Sequence, residues 1–255
     1  MKIHQIRNAT IILESGSHRI LVDPMLGAPG TLPPYSVLRF PARKNPLCEL
    51  PPAAYGLLEN ISAGLITHTH FGMDSDHLDA EGARRLKGLP VYCNAVDAGG
   101  LRKRGLDPRP LIMGRPTGFF EGTITAVPAS HGGCVMSKLM GPGAGYVIRL
   151  PGKPCLYLTG DTILTEEVRN VLAKERPDVC VLPCGSAQLD FGGPVLMPLE
   201  EIQEFVRLAP GRVVANHLEA LNHCPTTRDS LRQSLGTAGF LDRVIIPADG
   251  ETLSL

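Results

Sequence analysis

The sequence predicts a layered α/β fold in which helices pack outside two β-sheets. Apolar runs of strand length recur along the chain, and segments with helical spacing lie between several of them. The strands occur in groups as well as in alternation with helices, and this pattern predicts two sheets. The chain has 255 residues, of which 43% are hydrophobic, so it can bury a large core.

The individual elements follow from these runs in order along the chain. Two strand-like runs open the sequence, and the turn-forming residues Ser15, Gly16 and Ser17 separate them. The predicted strands are residues 10–13, 19–23, 65–67, 91–93, 124–127, 146–150, 156–159, 179–182, 213–215 and 244–246. The predicted helices are residues 79–87, 95–104, 166–174, 200–208 and 228–235.

A proline-rich segment at about residues 24–56 interrupts this pattern and carries Tyr35, Arg39 and Arg43. A loop of this length is typical of a functional lid or binding loop, or of a disordered linker, and the sequence leaves both interpretations open. No linker rich in proline, glycine and serine divides the chain into independent halves. We therefore expect a single domain over residues 1–255.

Charge and composition exclude several classes of function. Lysine plus arginine (25) balances aspartate plus glutamate (25), so no global field favours nucleic acid or an anionic membrane. No apolar stretch approaches the roughly 20 residues that span a bilayer, and the N-terminus lacks the pattern of a signal peptide. The seven cysteines are scattered and none forms a CxxC pair. Reduced thiols in a cytoplasmic protein are the expectation.

The segment from Leu65 to Asp79 carries the clearest chemical signal. An apolar strand runs into His68 and His70, whose side chains point to the same face because they are two residues apart. Asp76 and His77 follow at the start of a predicted helix. Surface histidines and a helix-capping aspartate are the ordinary alternative for each residue alone. Together they form a nitrogen and oxygen ligand set that suits zinc first, with iron, manganese or nickel as alternatives.

Three further candidate ligands lie where predicted strands end. His131 follows one strand and precedes two glycines, Asp161 lies in a Gly-Asp-Thr turn, and His217 ends another strand. Taken singly, these residues also fit a loop histidine, a helix cap and a surface histidine. A carboxylate has two oxygens and can bridge two metals, so Asp161 is the natural centre of a cluster. Ligands at several strand ends are how a rigid sheet holds a metal site.

These motifs resemble the metallo-β-lactamase-fold hydrolases. The segments HTH…DH, SHGG and TGDT, followed by His217, occur in the order of that superfamily's metal ligands. Residues 20–24 (ILVDP) and 246–251 (IPADGE) are also similar to it, so the resemblance spans nearly the whole chain. The chain length and the late final ligand most resemble the branch that contains the L-ascorbate-6-phosphate lactonases.

The resemblance implies a four-layer αββα sandwich with two metals at the edge between its sheets. It implies that one metal is held by His68, His70 and His131, that the other is held by Asp76, His77 and His217, and that Asp161 bridges them. One departure affects this assignment. Residues 71–75 separate His70 from Asp76, whereas the compact family motif has a single residue there. The longer turn leaves Asp74 as a rival to Asp76.

Three other residues are weaker candidates. His223, with Cys224 next to it, is a candidate for supporting the metal ligands or touching substrate, and a loop histidine with a local hydrogen bond fits equally well. Asp23 precedes a proline at a strand end and is expected to order the backbone or a ligand histidine. Lys138 is a candidate for receiving an anionic group of the substrate, with an ordinary solvated lysine as the alternative.

The ligand set and the resemblance together predict a metal-dependent hydrolase. Two divalent ions, zinc first and manganese or iron as alternatives, would lower the pKa of a shared water to about 7. The resulting hydroxide would attack a small ester, lactone or phosphoester. Asp161 would bridge the ions, and Asp76 would position the nucleophile or pass a proton to the leaving group.

Two other functions remain open at this stage. An iron-dependent oxidoreductase can use the same fold, although the chain has no room for the flavin domain that electron-transferring members carry. A non-catalytic metal-binding sensor is the second alternative, and the retention of every ligand type argues against it. The expected partner is a small-molecule substrate, with no nucleic acid or membrane indicated, and assembly into a homo-oligomer stays open.

Overall fold

The computed structural model describes residues 1–69, 74–133 and 140–255, and within them two mixed β-sheets face each other. The first sheet has the strand order β14-β1-β2-β3-β4-β5-β6. Its strands are β1 (Lys2–Arg7), β2 (Thr10–Ser15), β3 (His18–Val22), β4 (Ala63–Ile66), β5 (Pro90–Asn94), β6 (Asp107–Leu111) and β14 (Thr252–Ser254). From β3 to β6 the neighbouring strands are parallel, so their carboxyl ends meet at one edge.

The second sheet has the order β13-β12-β11-β10-β9-β8-β7. Its strands are β7 (Thr117–Phe119), β8 (Gly122–Ala129), β9 (Gly143–Arg149), β10 (Leu156–Leu158), β11 (Val179–Pro183), β12 (Arg212–Asn216) and β13 (Val244–Ile245). From β10 to β13 the strands are parallel. The two sheets are joined near the end of β4, where Tyr146 donates a hydrogen bond to the Ile66 carbonyl and Ala144 donates its N–H to the Thr67 carbonyl.

The described helices cover the outer faces of the sheets. They are α1 (Pro52–Leu57), α2 (Ala80–Leu86), α3 (Ala98–Lys103), α4 (Glu166–Glu175), α5 (Leu199–Leu208) and α6 (Arg228–Thr237). The apolar faces of α1 to α3 pack on the first sheet, and those of α4 to α6 pack on the second. A third apolar cluster fills the space between the sheets. No helix in the three described ranges is long and apolar enough to cross a membrane.

This arrangement confirms the predicted αββα sandwich, and each predicted strand and helix overlaps an observed one. Four strands and one helix were not predicted: β1, β6, β7, β14 and α1. The sequence of β6, DPRPL, contains two prolines, which only an edge strand tolerates. In β1 the buried positions include polar residues such as Gln5 and Arg7, so the apolar run that marks a strand is missing.

The proline-rich segment is an ordered loop that ends earlier than expected, because α1 begins at Pro52. The fully buried guanidinium of Arg7 donates hydrogen bonds to the carbonyl oxygens of Met25, Gly27 and Cys48. Further along the loop, the Asn222 side chain accepts the N–H of Tyr35 at 2.9 Å. These contacts hold the loop against the carboxyl edge of the sheets.

Candidate metal centre

Asp161 lies at the centre of a buried cluster of histidines and carboxylates. Its Oδ2 atom lies 3.1 Å from His77 Nε2, 3.4 Å from His217 Nε2 and 3.5 Å from His131 Nε2. Asp76 Oδ2 lies 3.2 Å from the same His217 nitrogen. All five residues are buried. One carboxylate therefore meets imidazoles from three separate segments of the chain.

The described residues form two groups that suit a metal ion, and both groups contain Asp161. The groups are Asp76, His77, Asp161 and His217, and His68, His131 and Asp161. Within each group, one ligand atom per residue lies within 4.8 Å of the others. This division matches the two ligand sets that the resemblance implies. The remaining predicted ligand, His70, lies outside the described residues, and so does Lys138.

The segment after β4 is fixed by Asp23, which follows β3. Asp23 accepts hydrogen bonds from the backbone N–H and the hydroxyl of Thr67, both at 2.8 Å. Its Oδ2 atom also lies 3.0 Å from His77 Nδ1, and Thr67 Oγ1 lies 3.1 Å from His68 Nδ1. Such partners set the orientation of a ligand histidine by engaging the nitrogen that faces away from the metal. The geometry gives Asp23 an orienting position, outside both ligand groups.

Unusual backbone conformations present Asp161 and His217 to the cluster. Gly160, directly before Asp161, has φ +64°, and a Cβ atom there would lie 2.5 Å from the Ala144 carbonyl oxygen. Only glycine therefore fits at position 160. His217 itself has φ 58°, and its N–H donates to the Asn8 carbonyl at 2.9 Å. Non-glycine residues held at positive φ, as His217 is, cluster at functional sites, where the surrounding structure holds them.

Asp74 and Asp76 occupy different environments. The Asp76 side chain is 7% exposed and belongs to the ligand group around His217. The Asp74 side chain is 49% exposed and pairs with Arg104, its Oδ1 lying 2.5 Å from the guanidinium. The structure therefore brings Asp76, and not Asp74, into the cluster.

The charges in the cluster stabilise one another. Burial alone raises the pKa of Asp161, but the charges of His77 and His217 outweigh it and hold that pKa well below its usual range. For Asp76, the charge of His77 and a hydrogen bond with His217 likewise overcome burial, and its pKa is lowered. Burial lowers the pKa of His77 and His217, but the neighbouring carboxylates raise both well above the usual histidine value.

The donor atoms fit divalent metal ions. Imidazole nitrogens and carboxylate oxygens are the ligands that zinc and related metals use in hydrolytic sites. Asp161 Oδ1 is buried and accepts no hydrogen bond from the described residues, although buried polar atoms usually have a partner. This oxygen is therefore available to a cation, as expected of a carboxylate that belongs to both ligand groups.

A cavity of about 350 Å³ opens over the cluster. Asp76, His131 and Asp161 form part of its lining, together with Tyr35 and His223. The rest of the described wall consists of Pro33, Asp74, Ser75, Met140, Ala187, Leu189 and Val195. None of these described lining residues is a lysine or an arginine, and Pro33, Met140, Ala187, Leu189 and Val195 give the wall an apolar part.

His223 is one of the weaker candidates from the sequence, and it lines the cavity next to residues of the cluster. Its ring meets the Tyr35 ring edge-on, with centroids 5.1 Å apart. Behind it, Cys224 Sγ lies 4.0 Å from His223 Nδ1 and 3.7 Å from His217 Nδ1. Burial raises the pKa of the Cys224 thiol, but His223 and His217 outweigh that effect and lower it to about 7.

Sequence reasoning did not single out Tyr35, Thr67 or Asp97 as site residues. Asp97 follows β5 and accepts the N–H of Thr69 at 3.1 Å and its hydroxyl at 2.6 Å, so it fixes the backbone next to His68. The position of Asp97 after a strand parallel to β4 was the available signal. Tyr35 and Thr67 belong to no motif, and their positions become visible only in the fold.

The chain also matches a known family model. Residues 18–218 match the beta-lactamase superfamily domain. The chain belongs to this superfamily. UPF0173 protein YddR of Bacillus subtilis is 30% identical over 257 residues, which cover 99% of both proteins. Superfamily members similar to this chain are named metal-dependent hydrolases, so it is a member of a family of metal-dependent enzymes.

Two solved structures of superfamily proteins are similar over the full chain. One is a possible metal-dependent hydrolase from Veillonella parvula, with a TM-score of 0.91 and 28% identity, covering 100% of this chain and 99% of that one. The other is an isothiocyanate hydrolase from Delia radicum gut bacteria, with a TM-score of 0.90, 31% identity and the same coverage. They confirm the metallo-β-lactamase fold. The narrower resemblance to the L-ascorbate-6-phosphate lactonases stays a prediction.

Proposed function

We propose that this protein is a binuclear metal-dependent hydrolase that acts, as one domain over residues 1–255, on small uncharged electrophiles. The observation that carries the proposal is the pair of ligand groups sharing Asp161 beneath a cavity whose other described walls lack a basic side chain. Zinc is the proposed metal because the ligands are imidazoles and carboxylates.

The residues that would hold the ions follow from the two groups. His68 and His131, with His70, would hold one ion, and Asp76, His77 and His217 would hold the other. Asp161 belongs to both groups and would be the ligand that the two ions share. Ions held in this way supply a nucleophilic water at neutral pH and polarise the electrophile.

The surrounding residues orient the ligands and the substrate. Asp23 and Thr67 fix the rings of His77 and His68 from behind. Asp76 reaches both the cluster and the cavity, so it is placed to orient the attacking water or to hold its proton. The apolar wall formed by Leu189, Val195 and their neighbours excludes bulk water and favours a substrate with an apolar body.

The residues that line the cavity indicate the class of substrate. A substrate that carries a separate phosphate group needs a basic side chain in the wall, and the described lining has none. An ester, a lactone or an isothiocyanate presents an electrophilic carbon without a charge. The isothiocyanate hydrolase that is 31% identical over the whole chain supports this choice. The ester and lactone substrates predicted from the sequence stay within the proposal, and the phosphoester that the sequence also predicts is compared with them in the substrate panel.

Metal content and a substrate panel test the proposal together. We expect about two divalent ions per chain after purification without chelator, and turnover of an arylalkyl isothiocyanate, an aryl ester or a lactone in preference to an aryl phosphodiester. Asp161→Ala is the control, because it keeps the cysteines that react with isothiocyanates on their own. We expect it to lose binuclear binding and nearly all hydrolysis while its circular dichroism is unchanged. Less than half an ion per chain, or turnover of the phosphodiester alone, would contradict the proposal.

A further inference from the structure

The hydroxyl group of Tyr35 lies in the cavity wall without an acceptor for its proton. Its oxygen is shielded from solvent and the backbone N–H of Asp76 lies near it as a donor, but no group in the part of the chain that the structure describes accepts the phenol proton. The same side chain lines the cavity together with Asp76 and Asp161. Buried hydroxyl groups usually have an acceptor, so a hydroxyl group in the wall of a ligand cavity that lacks one is placed to donate to a ligand.

The position of Tyr35 is fixed from several directions. Its N–H donates to Asn222 Oδ1 at 2.9 Å, and its ring packs edge-on against His223. Directly after it, Asp190 accepts the Ser36 hydroxyl and the backbone N–H groups that follow. The side chain also packs on the apolar cluster that contains Leu32 and Val195. A donor held this firmly keeps its direction while substrate binds.

We propose that the Tyr35 hydroxyl donates a hydrogen bond to the substrate atom that becomes negative as water adds to the electrophilic carbon. This inference rests on the proposed function. That atom is an oxygen in an ester or lactone, and a nitrogen or sulfur in an isothiocyanate. No bond forms to Tyr35 and its proton stays on the phenol oxygen, which is the protonated form at neutral pH because an ordinary tyrosine has a pKa of about 10. A donor aimed at developing charge in a dry cavity accelerates the reaction more than it strengthens binding.

Tyr157 provides a matched control. Its hydroxyl is also buried and makes no hydrogen bond to the described residues, but its side chain packs in the outer core of the second sheet. Tyr35→Phe and Tyr157→Phe therefore each remove one shielded hydroxyl group whose proton has no acceptor among the described residues. Only the first faces the cavity over the cluster.

The first test compares steady-state kinetics of the two variants with the wild type. We expect Tyr35→Phe to lower kcat on the order of 10²-fold, with a much smaller change in KM and an unchanged metal content. The deficit should shrink for substrates whose acceptor atom carries negative charge more readily. Tyr157→Phe should keep wild-type kinetics. Wild-type activity in Tyr35→Phe, or loss of metal from it, would overturn the inference.

The second test does not depend on turnover. Binding of an unreactive thiourea or amide, which presents a thiocarbonyl or carbonyl acceptor, is measured by calorimetry on the metal-loaded proteins. We expect Tyr35→Phe to bind about fivefold more weakly than wild type, the effect of one net hydrogen bond, and Tyr157→Phe to bind equally well. Equal affinity in all three proteins, or no binding at all, overturns the role of Tyr35. If the weaker binding is found while the wild type hydrolyses nothing, the proposed function fails and the donor role of Tyr35 stands.

Discussion

Asp74 and Asp76 lie two positions apart and differ in what their carboxylates contact. Asp76 is buried against His217 and His77, whereas Asp74 pairs with Arg104 at the surface. We expect Asp76→Asn to weaken one metal and to lower hydrolysis strongly, because the amide is a poorer ligand and removes a negative charge between two imidazoles. Elemental analysis and kinetics on the same preparation measure both effects.

Asp74→Asn is the matched change in the same turn. It removes a partly exposed ion pair, which typically contributes under about 1 kcal/mol, so we expect little change in metal content or rate. The reverse ranking of the two variants would move the ligand role to Asp74. Equal and mild effects would mean that the second ligand group is incomplete.

Four of the ligands found from the sequence share one property, which is a place in a short motif at the end of an apolar run. His68, His131, Asp161 and His217 each follow a strand, and the fold brings those strand ends together. Tyr35 could not be found this way. It is an aromatic residue in a proline-rich loop, and its role depends on a cavity whose other walls are far from it in sequence.

At the scale of elements, the part of the β3–α1 loop around Tyr35 is bound by the Asn222 side chain, which comes from the distant segment after β12. Asn222 accepts the N–H of Tyr35 and donates to the carbonyl oxygens of Ser36 and Pro41, at 2.7 and 3.1 Å. We expect Asn222→Ala to release this part of the loop and to lower kcat/KM about tenfold, because Tyr35 and Pro33 lose their fixed positions. Limited proteolysis within residues 28–47 should become faster.

Asn170→Ala serves as the control for Asn222→Ala, since Asn170 is exposed on α4. Metal content should be unchanged in both proteins, because neither asparagine belongs to a ligand group. If Asn222→Ala keeps the wild-type rate and the same resistance to protease, the loop is held by its other contacts.

Elements with a strong apolar period were predictable, and elements whose stability comes from tertiary contacts were not. In the helices α4, α5 and α6, buried residues recur three or four positions apart, which is the spacing of one helix face. By contrast, β1 contains the buried Arg7, whose guanidinium donates hydrogen bonds to carbonyl oxygens of the proline-rich loop, which lies further along the chain. The contacts that order the proline-rich loop are of this second kind, so its order could not be predicted either.

At the scale of the whole molecule, the candidate ligands come from both sheets. His68 follows a strand of the first sheet, whereas His131, Asp161 and His217 follow strands of the second. Bound ions would therefore link the two sheets and stabilise the folded chain by mass action. We expect removal of metal with a chelator to lower Tm on the order of 5 °C or more, as measured by calorimetry.

The Asp161→Ala protein is the control for chelation, since we expect it to bind no bridged pair of ions. Its Tm should lie near that of the chelated wild type and should change little on addition of chelator. A wild-type Tm that does not respond to chelator would mean that no tightly held ion links the sheets.

The sandwich itself was predictable from strand grouping and family resemblance, because both depend on patterns spread over the entire sequence.

The three hydrogen bonds that Arg7 donates to the proline-rich loop affect which residues of the loop can be substituted. Its guanidinium binds the main-chain oxygens of Met25, Gly27 and Cys48, and such oxygens are present whatever side chains the loop carries. Loop side chains in the cavity wall such as that of Pro33 can thus vary while the loop keeps its course, whereas Tyr35 is constrained by the donor role proposed above. Substitutions at Pro33 would then change the substrate range while the ion ligands stay in place. A chimera carrying another relative's residues 28–47 should inherit that relative's preference and retain this chain's metal content.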